Sequence, residues 1–130
     1  VLHSGGRYIE RAVAANPGWY MLPDDEFSYP YGIKGTPISP ATLRGAFATD
    51  FVLLLGQADV QTGGVMRNNR ETSAQGKTRF ERGHFYFNRA AADAKRMGAK
   101  FGWHLREVPG AGHEDEDTAP PAAEALMERR

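Results

Sequence analysis

Cysteine is absent from the 130 residues. Disulfides, thiol nucleophiles and thiolate metal sites are therefore excluded, while the compartment stays open, because an exported protein is free to have disulfides without needing them. Excess charge of one sign is also lacking: 16 Lys plus Arg face 16 Asp plus Glu. A nucleic-acid partner is not expected, since displacing phosphate counterions calls for a clustered basic surplus. Long apolar runs are missing as well. The longest aliphatic and aromatic run, Phe51 to Leu55, falls far short of the roughly 18 residues that span a bilayer. Residue 1 is Val and no charged-then-apolar leader opens the chain, so the expectation is a fragment of a longer protein.

What is present is ordinary globular material, 41% hydrophobic and 25% charged, enough apolar surface to offset the entropy lost on ordering. Residues 10–15 read as a short buried strand stopped by the turn cluster Asn16-Pro17-Gly18. Trp19 to Ser39 is a long irregular stretch with five aromatic residues, and rings that gain so much by packing predict an ordered loop over the body of the protein. Ser39 as N-cap and Pro40 in the first turn start a helix to Ala48, with Leu43 and Phe47 inward. Phe51 to Leu55, ended by Gly56, has the continuous apolar character of a strand covered on both faces.

Gln61 to Lys77 is a polar excursion with one short turn near Val65 to Arg67. Its Gly63-Gly64 pair lacks the following basic residue and strand-to-helix setting of a phosphate loop, which counts against a flavodoxin-like nucleotide binder. Thr78 to Met97 is predicted as a long helix with Phe80, His84, Phe87, Ala91 and Ala94 on its buried stripe and Gly98 as its cap. Phe101, Trp103 and Leu105 alternate with Gly102, His104 and Arg106 as in a strand, which Pro109 ends. Thr118 to Arg130 reads as a last helix, capped by Asp117 or Thr118, with Pro120 in its first turn and Ala123, Leu126 and Met127 packed. The preceding acids Glu114 to Asp117 form a solvated run suited to the positive end of that helix. The alternation of strands and helices predicts an α/β layer fold with parallel strands and crossover helices.

Parallel α/β sheets bind and react beyond the carboxyl ends of their strands. Two loops there carry titratable groups: Gly56-Gln57-Ala58-Asp59 and Pro109-Gly110-Ala111-Gly112-His113. Leaving the sheet at one edge, they would bring Asp59 to His113, and a carboxylate on Nδ1 of a histidine frees Nε2 to act as a base. His84 is expected to be a half-buried structural residue, His104 to face the polar side of its strand, and no His pair is spaced for zinc.

In these segments the chain resembles the α/β-hydrolases. Phe51-Val-Leu-Leu-Leu-Gly-Gln-Ala-Asp59 is similar to that family's acid-bearing segment and Val108-Pro-Gly-Ala-Gly-His113 to its histidine-bearing one. Arg11-Ala-Val-Ala-Ala-Asn-Pro-Gly-Trp-Tyr-Met-Leu-Pro23 resembles the strand and the start of the lid that follow the nucleophile's helix in bacterial esterase-like members. The resemblance implies a partial α/β-hydrolase fold: the last three parallel strands, their crossover helices and a lid-like loop at residues 19–39, all within one domain whose amino-terminal part is absent. It implies a Ser-His-Asp triad acting on a small-molecule ester-like substrate, with catalytic Asp59 and His113 and no cofactor. Trp19, Tyr20, Tyr29 and Tyr31 are candidates to line the substrate pocket. The departure is the nucleophile. Leu2-His3-Ser4-Gly5-Gly6 has Leu where a small residue is needed and leaves too few residues for a crossover helix before residue 11. Ser4 is expected to end the preceding helix, with Gly5-Gly6 as its cap, and the reactive serine to lie upstream. A chain without it would be catalytically silent and, with an unpaired edge strand, poorly stable alone. The alternative is a non-catalytic binding module of the same fold that presents the aromatic loop to a ligand.

Overall fold

A computed structural model describes residues 1–62 and 65–129. Gly63-Gly64 and Arg130, the end expected for the last helix, lie outside the described residues. Three strands, β1 (Arg11–Ala15), β2 (Asp50–Gly56) and β3 (Trp103–Val108), form one parallel sheet in the order β1-β2-β3. The register pairs Arg11 with Asp50 and Ala15 with Leu54 on one side, and Phe51 with Trp103 and Gly56 with Val108 on the other. Helices α1 (Pro40–Ala48), α2 (Arg70–Ser73), α3 (Arg79–Arg96) and α4 (Asp115–Met127) complete the fold.

Every residue of β2 after Asp50 is buried, as a central strand covered on both faces requires. Phe51, Leu53 and Leu55 point into the larger core with Leu43 and Phe47 of α1, Tyr86 and Ala90 of α3, and Trp103. Val52 and Leu54 point the other way, onto Ala125 and Ala122 of α4. Each such leucine contributes about 1.5–3 kcal/mol through burial. Ser39 caps α1 by accepting from Thr42 N at 3.2 Å, and Pro40 opens the helix where it lacks only an orphan donor. Thr78 caps α3 on Glu81 N at 3.1 Å, and Gly98, at φ +64°, follows its end.

The structure corrects three expectations. The buried face of α3 is Arg79, Arg82, Gly83, Tyr86, Ala90, Asp93 and Ala94. Phe80, His84, Phe87 and Ala91 are only half-buried, because charged residues that find partners inside displace the apolar stripe. The polar excursion, expected without a helix, holds α2 at residues 70–73, where Asn69 and Thr72 form a reciprocal capping box, after a turn at Val65 and a bend at Met66. Finally, α4 starts at Asp115 with Glu114 at its cap, and Pro120 and Pro121 stand inside it. From that start Thr118, Ala122 and Ala125 face the sheet, whereas Leu126 and Met127 are exposed. The acids Asp115, Glu116 and Asp117 occupy its first turn, where the free N–H groups favour negative charge.

The stretch at residues 19–39 is ordered by its own main chain. Leu22 N donates to Tyr31 O at 2.9 Å and Ile33 N to Asp24 O at 2.9 Å. The Gln75 side chain fastens it to the body, accepting from Tyr20 N at 2.9 Å and donating to Tyr20 O at 2.7 Å.

Candidate functional site

At the carboxyl edge of the sheet, the hydrogen bonding of β2 and β3 continues beyond the strands. Gln57 N donates to Val108 O at 3.1 Å and Ala58 N to Ala111 O at 2.9 Å, while Asp59 N closes a turn on Gly56 O at 3.1 Å. The two loops are thereby held side by side. His113 Nδ1 lies 3.2 Å from Asp59 Oδ2. The Asp59 side chain is 1% exposed and the imidazole 49%, so the carboxylate is sealed while the ring meets solvent. The other carboxylate oxygen faces Arg79 Nη1 at 3.4 Å. A buried carboxylate without such partners would be costly to desolvate. Donating Nδ1–H to Asp59 leaves a lone pair on Nε2, and no hydrogen bond holds Nε2 among the described residues.

Two small residues set this geometry. Asn16, buried at the end of β1 with φ +44°, donates Nδ2 to Gly112 O at 2.9 Å and accepts from Gly56 N through Oδ1 at 2.7 Å. Its main-chain N donates to Leu54 O at 3.0 Å. Asn tolerates the left-handed region better than most residues, and its amide offers both a donor and an acceptor. One side chain therefore ties the ends of β1 and β2 to the histidine loop. Gly56 is needed for a close approach: a Cβ there would lie 2.4 Å from Ala111 O and 2.9 Å from Gly112 O. In the sequence Asn16 reads as a turn residue and Gly56 as a strand end, and neither carries a signal of this role. Asp117 adds a further clamp, accepting from Gly112 N at 2.9 Å.

No protein-family model and no curated protein matches the chain. Solved structures do, among them two hydrolases. Poly(aspartic acid) hydrolase-1 from Sphingomonas sp. KT-1 superposes with a TM-score of 0.88 and 34% identity over 91% of this chain and 45% of its own. LpqC, a poly(3-hydroxybutyrate) depolymerase from Bordetella parapertussis, gives 0.85 and 31% over 91% and 40%. The chain belongs to the α/β-hydrolase superfamily. It spans less than half the length of either neighbour, and its three parallel strands with their helices are part of the α/β-hydrolase fold.

The remaining candidate residues of this α/β-hydrolase chain separate in space. Trp19 borders a cavity of about 350 Å³ that His113 also borders, and Tyr31 packs on Trp19 with ring centroids 5.0 Å apart. Tyr20 goes elsewhere. It is buried and stacked 4.4 Å from Tyr86, because the two adjacent side chains, Trp19 and Tyr20, serve opposite faces of their segment. Burial first, then the neighbouring Tyr86 and Asp59, push its hydroxyl pKa up. Tyr29 is exposed, packs edge-on to His3 and borders neither cavity next to His113. Trp19, with Tyr31 packed on it, thus lies beside His113, and Tyr20 and Tyr29 border neither cavity there.

Gly6 N donates to Val1 O at 3.3 Å and Gly5 N to Leu2 O at 3.4 Å, with Gly5 at φ +60°, the bond pattern of a helix carboxyl end closed by glycine. Ser4 therefore sits in a capping turn. Its neighbours Gly5 and Gly6 pack against Thr42, Gly45 and Thr49, on the amino side of β2 and across the sheet from His113. His84 bonds Glu107 Oε1 at 2.7 Å and His104 lies 3.7 Å from Asp50. Among the described residues no cluster of three or more His, Asp or Glu is arranged to hold a metal ion, and no helix is long and apolar enough to cross a membrane.

Proposed function

We propose that this chain supplies the acid and base of a serine hydrolase that cleaves carboxylic ester bonds, forming the carboxyl-terminal part of one α/β-hydrolase domain with residues 19–39 as its lid-like loop. The reading rests on one observation: Asp59 is sealed against His113 Nδ1 at 3.2 Å while the other face of the imidazole is open. An upstream serine hydroxyl attacks the carbonyl carbon, and Nε2 takes its proton as the Ser–O bond to carbon forms. Asp59 stabilises the resulting imidazolium. The proton then passes to the leaving alcohol, and water repeats the sequence on the acyl-enzyme, restoring the serine and releasing the acid. Trp19, braced by Tyr31, walls the acyl cavity.

The neighbours support this reading by their names, a hydrolase of poly(aspartic acid) and a depolymerase of poly(3-hydroxybutyrate). Both act on polymers of acyl units. The test uses the full-length protein and short p-nitrophenyl esters. Asp59→Asn is expected to lower kcat by about 10⁴-fold and His113→Ala by about 10⁶-fold, with serine labelling by a fluorophosphonate weakened in parallel. Unchanged turnover in both variants would refute the assignment, and no turnover by the wild type would leave the binding-module reading.

A further inference from the structure

Two adjoining cavities border His113 and share Val65 and Arg79 in their linings. One, of about 400 Å³, is bordered by Asp59, Gln61, Arg79 and Glu114, next to the acidic first turn of α4. The other, of about 350 Å³, is bordered by Trp19, Met66, Arg67 and Arg79. Its charged lining, His113 apart, is cationic, and its size is that of a small-ligand site.

Arg67 is exposed, yet it is held at both ends. Its guanidinium lies over the Trp19 ring, 5.2 Å from the centroid, and Nη1 donates to Tyr31 Oη at 3.1 Å. The Tyr31 hydroxyl is itself fixed by Asn69 Nδ2 at 2.8 Å. The Arg67 carbonyl accepts from the buried Arg82 Nη1 at 2.9 Å and from Thr72 Oγ1 at 3.1 Å. No carboxylate pairs with this guanidinium among the described residues. Arg79, on the same cavity, has a buried Nε with no hydrogen-bond partner. A surface arginine normally has to give up rotamer freedom to bind, and stacking on an aromatic face with one fixed hydrogen bond removes most of that cost in advance. The open fork matches a carboxylate in two parallel hydrogen bonds.

We infer that the Trp19 side of His113 is a carboxylate subsite, in which Arg67 selects substrates carrying a free carboxylate on one side of the scissile bond, as in monoesters of dicarboxylic acids. The inference rests on His113 being the base and adds the substrate class. Asp59 does not compete for the anion, since it is sealed beneath the imidazole and engaged by Arg79, and Glu114 borders the adjoining cavity and not this one.

The test compares kcat/KM of the full-length protein on p-nitrophenyl hemisuccinate and p-nitrophenyl butyrate. The wild type should prefer the hemisuccinate, less so as NaCl is raised. Arg67→Gln should lower the hemisuccinate-to-butyrate ratio by about ten- to a hundredfold, mainly through KM, and Arg67→Lys should restore only part of it. A wild-type ratio of one or below, or a ratio in Arg67→Gln within twofold of wild type, would overturn the subsite. If neither ester is turned over and no serine is labelled, the hydrolase reading fails by itself. The subsite is then decided by quenching of Trp19 fluorescence with disodium succinate. Saturable binding that disappears in Arg67→Gln sustains it, and no binding in the wild type overturns it.

Discussion

Replacing Gly56 by Ala tests whether the site owes its geometry to a glycine at the end of β2. The added methyl would lie 2.4 Å from Ala111 O and 2.9 Å from Gly112 O, whereas a carbon-to-carbonyl contact settles near 3.3 Å or more. The histidine loop must retreat by about 1 Å. Both carbonyls are already committed, Ala111 O to Ala58 N and Gly112 O to Asn16 Nδ2, each at 2.9 Å. The next residue is His113, whose bond to Asp59 starts at 3.2 Å and has little length to spare. The backbone at Gly56 lies outside the positive-φ region, so the effect is one of contact and not of torsional strain. Overpacking of this kind costs about 1–3 kcal/mol of stability, and a 1 Å misplacement of a base costs about a hundredfold in rate. The assay is kcat/KM of the full-length Gly56→Ala protein on a p-nitrophenyl ester, beside its Tm. A variant within threefold of wild type in kcat/KM would refute the reasoning whatever its Tm, since the loop would then have moved without disturbing the pair or would have had room to spare.

Gly83→Ala should destabilise the protein by about 1–3 kcal/mol despite the roughly 1 kcal/mol gained in helix propensity, because the new Cβ would lie 2.3 Å from Leu55 Cδ2 in the core; a rise in the denaturant midpoint would contradict this. Arg82→Met should cost about 3–5 kcal/mol and expose residues 65–77 to protease. It removes the donors to Gly76 O, Gly18 O, Arg67 O and Asn68 Oδ1, each at 2.9 Å, from a site that is fully buried. The Asp93 carboxyl is pushed up by burial and by Asp24, against the pull of Arg96 and Arg89. A raised acid pKa means that the fold holds the proton more tightly than the unfolded chain does, so its stabilising contribution is complete below the ordinary carboxyl range and is lost as pH rises through the raised value. Asp93→Asn should accordingly gain Tm relative to wild type between pH 4 and 7, and a Tm difference constant across that range would refute the linkage.

Where one physical signal dominated, the sequence was legible. The unbroken run at β2 and the Ser39-Pro40 start of α1 each follow from a single local rule. The meeting of Asp59 and His113 follows from strand direction alone, since parallel strands send their loops to one edge. The inner face of α3 was hidden because Arg79, Arg82 and Asp93 are charged and still buried, and hydrophobic periodicity cannot see a charge that finds its partners inside. The start of α4 was hidden by Pro120, which reads as a first-turn residue but stands in the middle of the helix beside Pro121. The aromatic candidates divided because composition counts rings and not the faces they serve: Trp19 and Tyr20 are adjacent, yet one borders the His113 cavity and the other lies against Tyr86.

The Asn16 amide has a consequence for how the molecule comes apart. Its three bonds span both loops and the ladder, so the corner that holds Asp59 and His113 should have no melting transition of its own. In a urea titration the competence of the Asp59–His113 pair and the circular-dichroism signal of the sheet should fade together at one midpoint, as parts of a single cooperative unit.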